Sequence, residues 1–226
     1  MGTFDDQPIE GITREDALYA KLKDDIRKGR LSAGVRIMET DLADAHGVSR
    51  AVVRSVLRRL EAEGLVQIEP YKGARVPVLT VEEIVKDLEI RQVLEGLASR
   101  LAAKRADADL LEELQSILKR LKEAYDLIDV YTYSECNGEL HRVIGEASGN
   151  TKLLELLDAL KAHSVRYVFS SLLTAGRMRE SLEEHSRLVR AIVDRDEDRA
   201  ELEARAHMES VINNVTSLAE KAFHII

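Results

Sequence analysis

Three histidines carry the most pointed chemistry in this 226-residue chain. His141 has Leu140, Ile144 and Ala147 around it. His185 falls on the series Leu182, His185, Val189, Ile192, and His207 on Ala200, Ala204, His207, Val211, Val215. Steps of three and four residues place each imidazole on the inward stripe of a helix. Burying three such groups without partners costs free energy, so a shared partner is a physical expectation. A divalent metal supplies one, because neutral imidazole nitrogen is a favoured ligand of zinc and nickel. The alternative is three hydrogen-bonded core histidines. His163, on the stripe Leu156, Leu160, His163, Tyr167, is a reminder that an inward His is not always a ligand. His46 and His224 lie at the periphery of the pattern and are given no role.

A second concentration of chemistry is cationic. Between Arg50 and Arg59 there are four arginines and no acid. The whole chain has a net charge of −8, which by itself argues against a nucleic-acid partner. The charge is unevenly spread, however. Residues 15–79 hold 12 Lys/Arg against 10 Asp/Glu, whereas residues 80–226 hold 20 against 28. A duplex is read by a patch on one face, and the remainder of a molecule can be acidic. The balance therefore permits DNA binding.

The elements that must position these groups follow from periodicity. Leu18, Leu22 and Ile26 mark a first helix, with Gly29 suited to its C-terminal cap. Thr40 can cap a short helix over Asp41–Ala45 that stops near Gly47, and Ser49 caps a second running to about Glu63. Two short helices around a Gly-containing turn, the second bearing Arg50, Arg54, Arg58 and Arg59, have the layout of a helix-turn-helix. Leu65, Val66, Ile68 and then Ala74, Val76, Val78 read as two strands joined by a turn at Tyr71, Lys72 and Gly73, a wing. Thr80 and Glu83 form a capping box. Six helices follow, at about 81–105, 108–127, 129–147, 151–172, 176–194 and 197–223, which fit a bundle around one core. The fold class is mainly α: a tail over 1–14, a winged helix-turn-helix over 15–79, and an all-helical domain over 80–226. No apolar run reaches the roughly 18–20 residues that span a bilayer. The N-terminus lacks a signal-peptide pattern, and the single Cys136 excludes an internal disulfide framework, so a cytoplasmic location is expected.

The stretch DLADAHGVSRAVVRSVLRRLEAEGLV followed by YKGARV resembles the winged helix-turn-helix of the GntR family of transcription regulators. The remainder is similar to the FCD ligand-binding domain of the FadR subfamily, and six helices suggest its VanR-like branch. EIRQVLEGLASRLAA, NGELHRVIGEASGN, EEHSRLVRAI and AHMESV occur in the expected order and spacing. Two positions depart from the pattern: Ala51-Val52 stands where a Thr-Pro pair is usual, and Thr40 where an Arg is often found. Both obscure the operator sequence.

The resemblance implies that Ser49, Arg50 and Arg54 contact bases or phosphates of double-stranded operator DNA, with Lys72 and Gly73 at the wing tip. An Arg in the major groove contributes about 1–3 kcal/mol of discrimination through a bidentate contact with guanine. Arg58 and Arg59 are expected at phosphate or at acidic neighbours, and a merely solvated arginine face is the plain alternative. In metal-binding relatives an Asp four residues before the first His completes the ligand set. Here that position is Asn137, on the same helix face as His141. The implied ligands are thus Asn137, His141, His185 and His207, holding zinc or nickel. A small carboxylate metabolite would bind beside them, met by Arg91, with Tyr133, Arg166 and Asn214 as further wall residues. A structural ion pair of Arg91 with Glu89 or Glu95 is the competing role. The whole implies a metabolite-responsive homodimeric repressor, without catalytic residues and without a membrane partner. A metal-dependent hydrolase-like enzyme using the histidines and a regulator with a metal-free sensor pocket are the rival readings. Against the enzyme, no HExxH motif is present and no strong general base lies near the histidines in sequence.

Overall fold

Leu18, Leu22 and Ile26 all turn inward from the first helix, as their spacing requires. The computed structural model describes residues 13–27, 30–70 and 72–223, which fall into two units dividing between Val78 and Leu79. Gly29 and Tyr71, and nearly all of the 1–14 tail, lie outside the described residues.

The first unit holds α1 (Arg14–Arg27), β1 (Arg36–Ile37), α2 (Glu39–His46), α3 (Arg50–Ala62), β2 (Gln67–Glu69) and β3 (Gly73–Arg75). The strands form an antiparallel sheet in the order β1-β3-β2, pairing Ile37 with Ala74 and Ala74 with Ile68. β1 was not legible as a strand, because two residues are too few for an alternation to register. Its presence also corrects the start of α2. Met38, extended at φ −91° and ψ 134°, is the N-cap and makes no side-chain cap bond; Thr40 lies inside the helix. The chain passes from strand to helix without a polar cap, and Glu39 and Asp41 supply negative charge to the helix N-terminus instead. Gly47 closes α2 in the left-handed region at φ 61°, and Ser49 caps α3 by accepting from the Val52 amide. Val53, Val56, Leu57 and Leu60 form the buried face of α3.

The second unit is six helices: α4 (Val81–Arg105), α5 (Ala108–Asp126), α6 (Val130–Ala147), α7 (Thr151–Leu172), α8 (Arg177–Val193) and α9 (Glu197–Phe223). Each boundary lies within a residue or so of its predicted place because the caps are written into the sequence. Thr80 and Glu83 make both bonds of a capping box, and Asp107, Asp129 and Asn150 cap α5, α6 and α7. The core runs through Leu114, Ile117, Leu121, Leu140, Ile144, Leu157 and Ile192. The buried stripe of α4 is unusual: Ile84, Leu88, Ala98 and Ala102 flank Arg91 and Glu95, which are also buried. No described helix is long and apolar enough to cross a membrane.

Candidate functional site

α6, α8 and α9 each deliver one histidine to a common point. His141, His185 and His207 are 5%, 0% and 4% exposed, and one ring nitrogen from each lies within 4.8 Å of the others. The Nε2 atoms of His185 and His141 are 3.4 Å apart. The far side of every ring is held. Nδ1 of His141 lies 3.2 Å from Glu95 Oε2, Nδ1 of His207 lies 2.7 Å from Glu184 Oε2, and Nδ1 of His185 lies 3.3 Å from Ser181 Oγ. A carboxylate can only accept, so it fixes the proton on Nδ1 and leaves Nε2 as a lone pair. Metal-ligating histidines are oriented by outer partners in this way.

Electrostatics favour the neutral ring at His185 and His207. Burial pushes the His207 imidazole down to about 4, against the opposing pull of Glu184. Burial also holds His185 well below the ordinary histidine value, with His207 and His141 adding to the effect. Burial would raise both glutamates, but it is outweighed. His141, Lys161 and Arg91 hold Glu95 well below the usual carboxylate range, and His207 and Arg177 bring Glu184 to about 2.

A cavity of about 30 Å³ opens beside the triad, lined among others by Arg91, Asn137, His141, Arg177, Ser181 and His207. Arg91 donates to Ser164 Oγ at 2.9 Å and to Glu95 Oε1 at 3.0 Å. The alternative role weighed for Arg91, an ion pair, is therefore present, with Glu95 as the partner, and Arg91 lines the cavity as well. Among the described residues its Nε has no hydrogen-bond partner, and neither has the buried Oδ1 of Asn137. Buried polar atoms are nearly always bonded, so orphans at one small cavity mark a place for a ligand or ordered water.

Tyr133 and Asn214 are the other wall positions with described side chains. Tyr133 is buried in the bundle core, its hydroxyl donating to the Met178 carbonyl at 3.2 Å, and burial pushes it up to about 12. Asn214 returns its amide to the Ser210 carbonyl on its own helix, at 2.8 Å. Neither is among the residues lining the cavity. The side chains of Arg166 and His163 lie outside the described residues. Sequence reasoning missed Arg177, 2% exposed, whose two terminal nitrogens each donate to Glu184 at 3.0 Å while Nε has no partner among the described residues. A signal existed: Arg177, Ser181, Glu184, His185 and Leu188 share one helix face at steps of three and four, so polar groups interrupt a core stripe.

On α3 the arrangement is the reverse. Arg50, Arg54 and Arg58, four apart, lie exposed opposite the buried apolar face. Arg54 makes a 2.7 Å pair with Glu39 of α2, while Arg59 turns back to Asp16 at 2.9 Å and lies over the Tyr19 ring. Arg50 and Arg58 make no ion pair among the described residues. Lys72 is exposed at the wing. Gly73 sits in β3 at φ 85°, and a Cβ there would collide with the Ile37 carbonyl. Close packing of β1 against β3 is thus sufficient reason for this glycine.

Residues 14–76 match the model of the bacterial regulatory proteins of the gntR family, and residues 87–210 that of the FCD domain. The uncharacterized HTH-type transcriptional regulator YdhC of Bacillus subtilis is 30% identical over 84% of this chain and 85% of its own length. A protein of Paenarthrobacter nicotinovorans described as "Probable D-xylose utilization operon transcriptional repressor" is 32% identical over 60% of each chain, so the match spans 60% of that relative's length. The fold is shared with McbR/YncC of E. coli, with a TM-score of 0.81 at 22% identity, over 92% of this chain and 99% of that one. The chain belongs to the GntR family and carries an FCD domain. It is a DNA-binding transcription regulator of that family, and its domains and relatives point away from an enzyme.

Proposed function

We propose that the chain is a metabolite-responsive repressor, a homodimer that grips operator DNA through α3 and the β2–β3 wing and releases it when a small carboxylate binds in the helical bundle. Its setting is the cytoplasm. Ser49 and Arg50 stand at the N-terminus of α3, where free amides favour phosphate and the first side chains can enter the major groove. Arg54 shares the face of Arg50, and Lys72 and Gly73 belong to the wing. Two such helices related by a two-fold axis would read a palindromic operator.

The carrying observation is the cavity beside the triad, where anchored histidines, two buried guanidiniums and an orphaned amide oxygen converge. The donor set fits a divalent metal. Nε2 of His141, His185 and His207 would hold zinc or nickel, with Asn137 Oδ1 as the oxygen donor. A bound ion would supply a fixed positive charge for the carboxylate. Arg91 and Arg177 present N–H donors to the same space, while Glu95 and Glu184 keep the rings aimed. The effector acts through a coupling free energy between the two sites, since it can change DNA affinity only by its preference for one state.

The test is a thermal-shift screen of small carboxylates on protein freed of metal by chelator, with and without added Zn²⁺. It is paired with gel-shift binding to a duplex selected from a random pool. The expected result is a carboxylate that stabilises only with Zn²⁺ and weakens duplex binding. Equal stabilisation without metal would favour the metal-free sensor, and no binding to any selected duplex would sink the repressor reading.

A further inference from the structure

The proposed donors for the ion, three imidazoles and one amide oxygen, are all neutral. The nearby buried charges are already matched. Glu95 serves Arg91 and His141, and Glu184 serves Arg177 and His207. Lys161, 3.9 Å from Glu95, brings another positive group, and Glu180, half exposed, lies 3.9 Å from Arg177. A divalent ion entering this buried place would therefore bring two positive charges with no anionic ligand among the described residues to offset them. Unbalanced charge in a low-dielectric interior is costly, and charge-assisted donors need an acceptor.

We infer that Asn137 makes the metal and a small carboxylate bind as a coupled pair, each weak alone and each strengthened by the other. The inference rests on the reading of the triad as a metal site given above. The carboxylate would be the missing anionic ligand, with the unpartnered Nε atoms of Arg91 and Arg177 as its remaining donors. Reciprocity is obligatory: the factor by which carboxylate tightens the ion is the factor by which the ion tightens carboxylate. A carboxylate at position 137 would offset the charge from within and remove the dependence. The cavity of about 30 Å³ favours a small anion.

The test titrates Zn²⁺ into full-length apo-protein in competition with a chromophoric chelator, in chloride and in acetate at equal ionic strength. Wild type is expected to bind Zn²⁺ about tenfold or more tightly in acetate, within the usual range of site–site coupling. Asn137→Asp is expected to bind tightly in both salts. Asn137→Ala, still neutral, is expected to bind more weakly but to keep its acetate dependence. Equal Zn²⁺ affinity of the wild type in both salts would overturn the inference and leave the metal site standing. So would an acetate dependence in Asn137→Asp as large as in wild type. No Zn²⁺ uptake by wild type or Asn137→Asp in either salt would overturn the metal reading as well.

Discussion

The arginines of α3 and the arginines of the bundle carry the same charge in opposite settings. The Arg54 side chain is 59% exposed and shares a single surface pair with Glu39, whereas Arg177 is 2% exposed and forked onto Glu184. Water solvates the first, so its presence imposes nothing on the fold. The second was taken out of water, and only its fixed partners offset that cost. A charged face on a surface helix is thus neutral to stability and informative about partners. A buried charge cluster constrains stability and, where atoms remain unpartnered, points to a ligand. Substitutions in the two places should separate cleanly into those that unfold and those that unbind.

The largest effect is expected at Glu184. Glu184→Ala leaves the buried Arg177 guanidinium without its fork and His207 without its Nδ1 partner. Removing one member of a buried pair costs about 3–5 kcal/mol. Urea unfolding should register that loss. A loss under about 1 kcal/mol would mean that water already relieves the cluster, and the contrast with α3 would weaken.

Acid should act through the same cluster. His207 is held at about 4 against an ordinary 6.5, chiefly by burial, and His185 is depressed in the same direction. Between those values the unfolded chain takes up protons that the folded state refuses, so stability falls as pH drops from about 6.5 towards 4. Glu184, brought to about 2 from 4.5, adds a loss of the same sign below about 4.5. His207 alone accounts for up to about 3 kcal/mol. In the presence of chelator, His207→Gln should reduce this slope between about pH 4.5 and 6.5, with His185 carrying what remains. An unchanged slope in that variant would place the acid sensitivity elsewhere.

How much of this was legible depended on whether the signal was local. The six bundle helices could be placed because Thr80, Asp107, Asp129 and Asn150 are caps within their own segments. The inward histidines could be placed because a three- to four-residue step is a property of one helix. β1 escaped because a two-residue strand exists only through its pairing with Gly73–Arg75. The polar start of α2 was misplaced for the same reason, since a preceding strand fixes where Met38 lies. Arg177 and Glu184 escaped as site residues because charged side chains are ordinarily exposed, and only packing within the bundle buries them. Tyr133 and Asn214 give their polar ends to the Met178 and Ser210 carbonyls, which no pattern within one segment announces for Tyr133.

On the surface side, Arg50→Ala should lower affinity for the selected duplex by about 1–3 kcal/mol, as the loss of one major-groove Arg contact would. Its thermal unfolding should change by less than about 0.5 kcal/mol, as for other solvated positions. Filter binding and calorimetry on the same preparation measure both. A duplex affinity equal to wild type would remove this helix from the interface. A large stability change would give α3 the character of the bundle cluster.

The smallest effect concerns the competitor already on α3. Glu39 lies 2.7 Å from Arg54 Nε, so a phosphate or base that takes this guanidinium must first displace a carboxylate. Exposed pairs contribute about 0.2–1 kcal/mol, which sets the ceiling on what its removal can release. Glu39→Gln keeps the side-chain shape and removes the charge, so duplex affinity should rise by no more than about fivefold. The gain should shrink as salt is raised, because salt screens the same pair. An Arg54→Ala background should abolish the gain entirely. Were Glu39→Gln to tighten binding equally with Arg54 absent, the glutamate would be repelling the duplex directly and not restraining its neighbour.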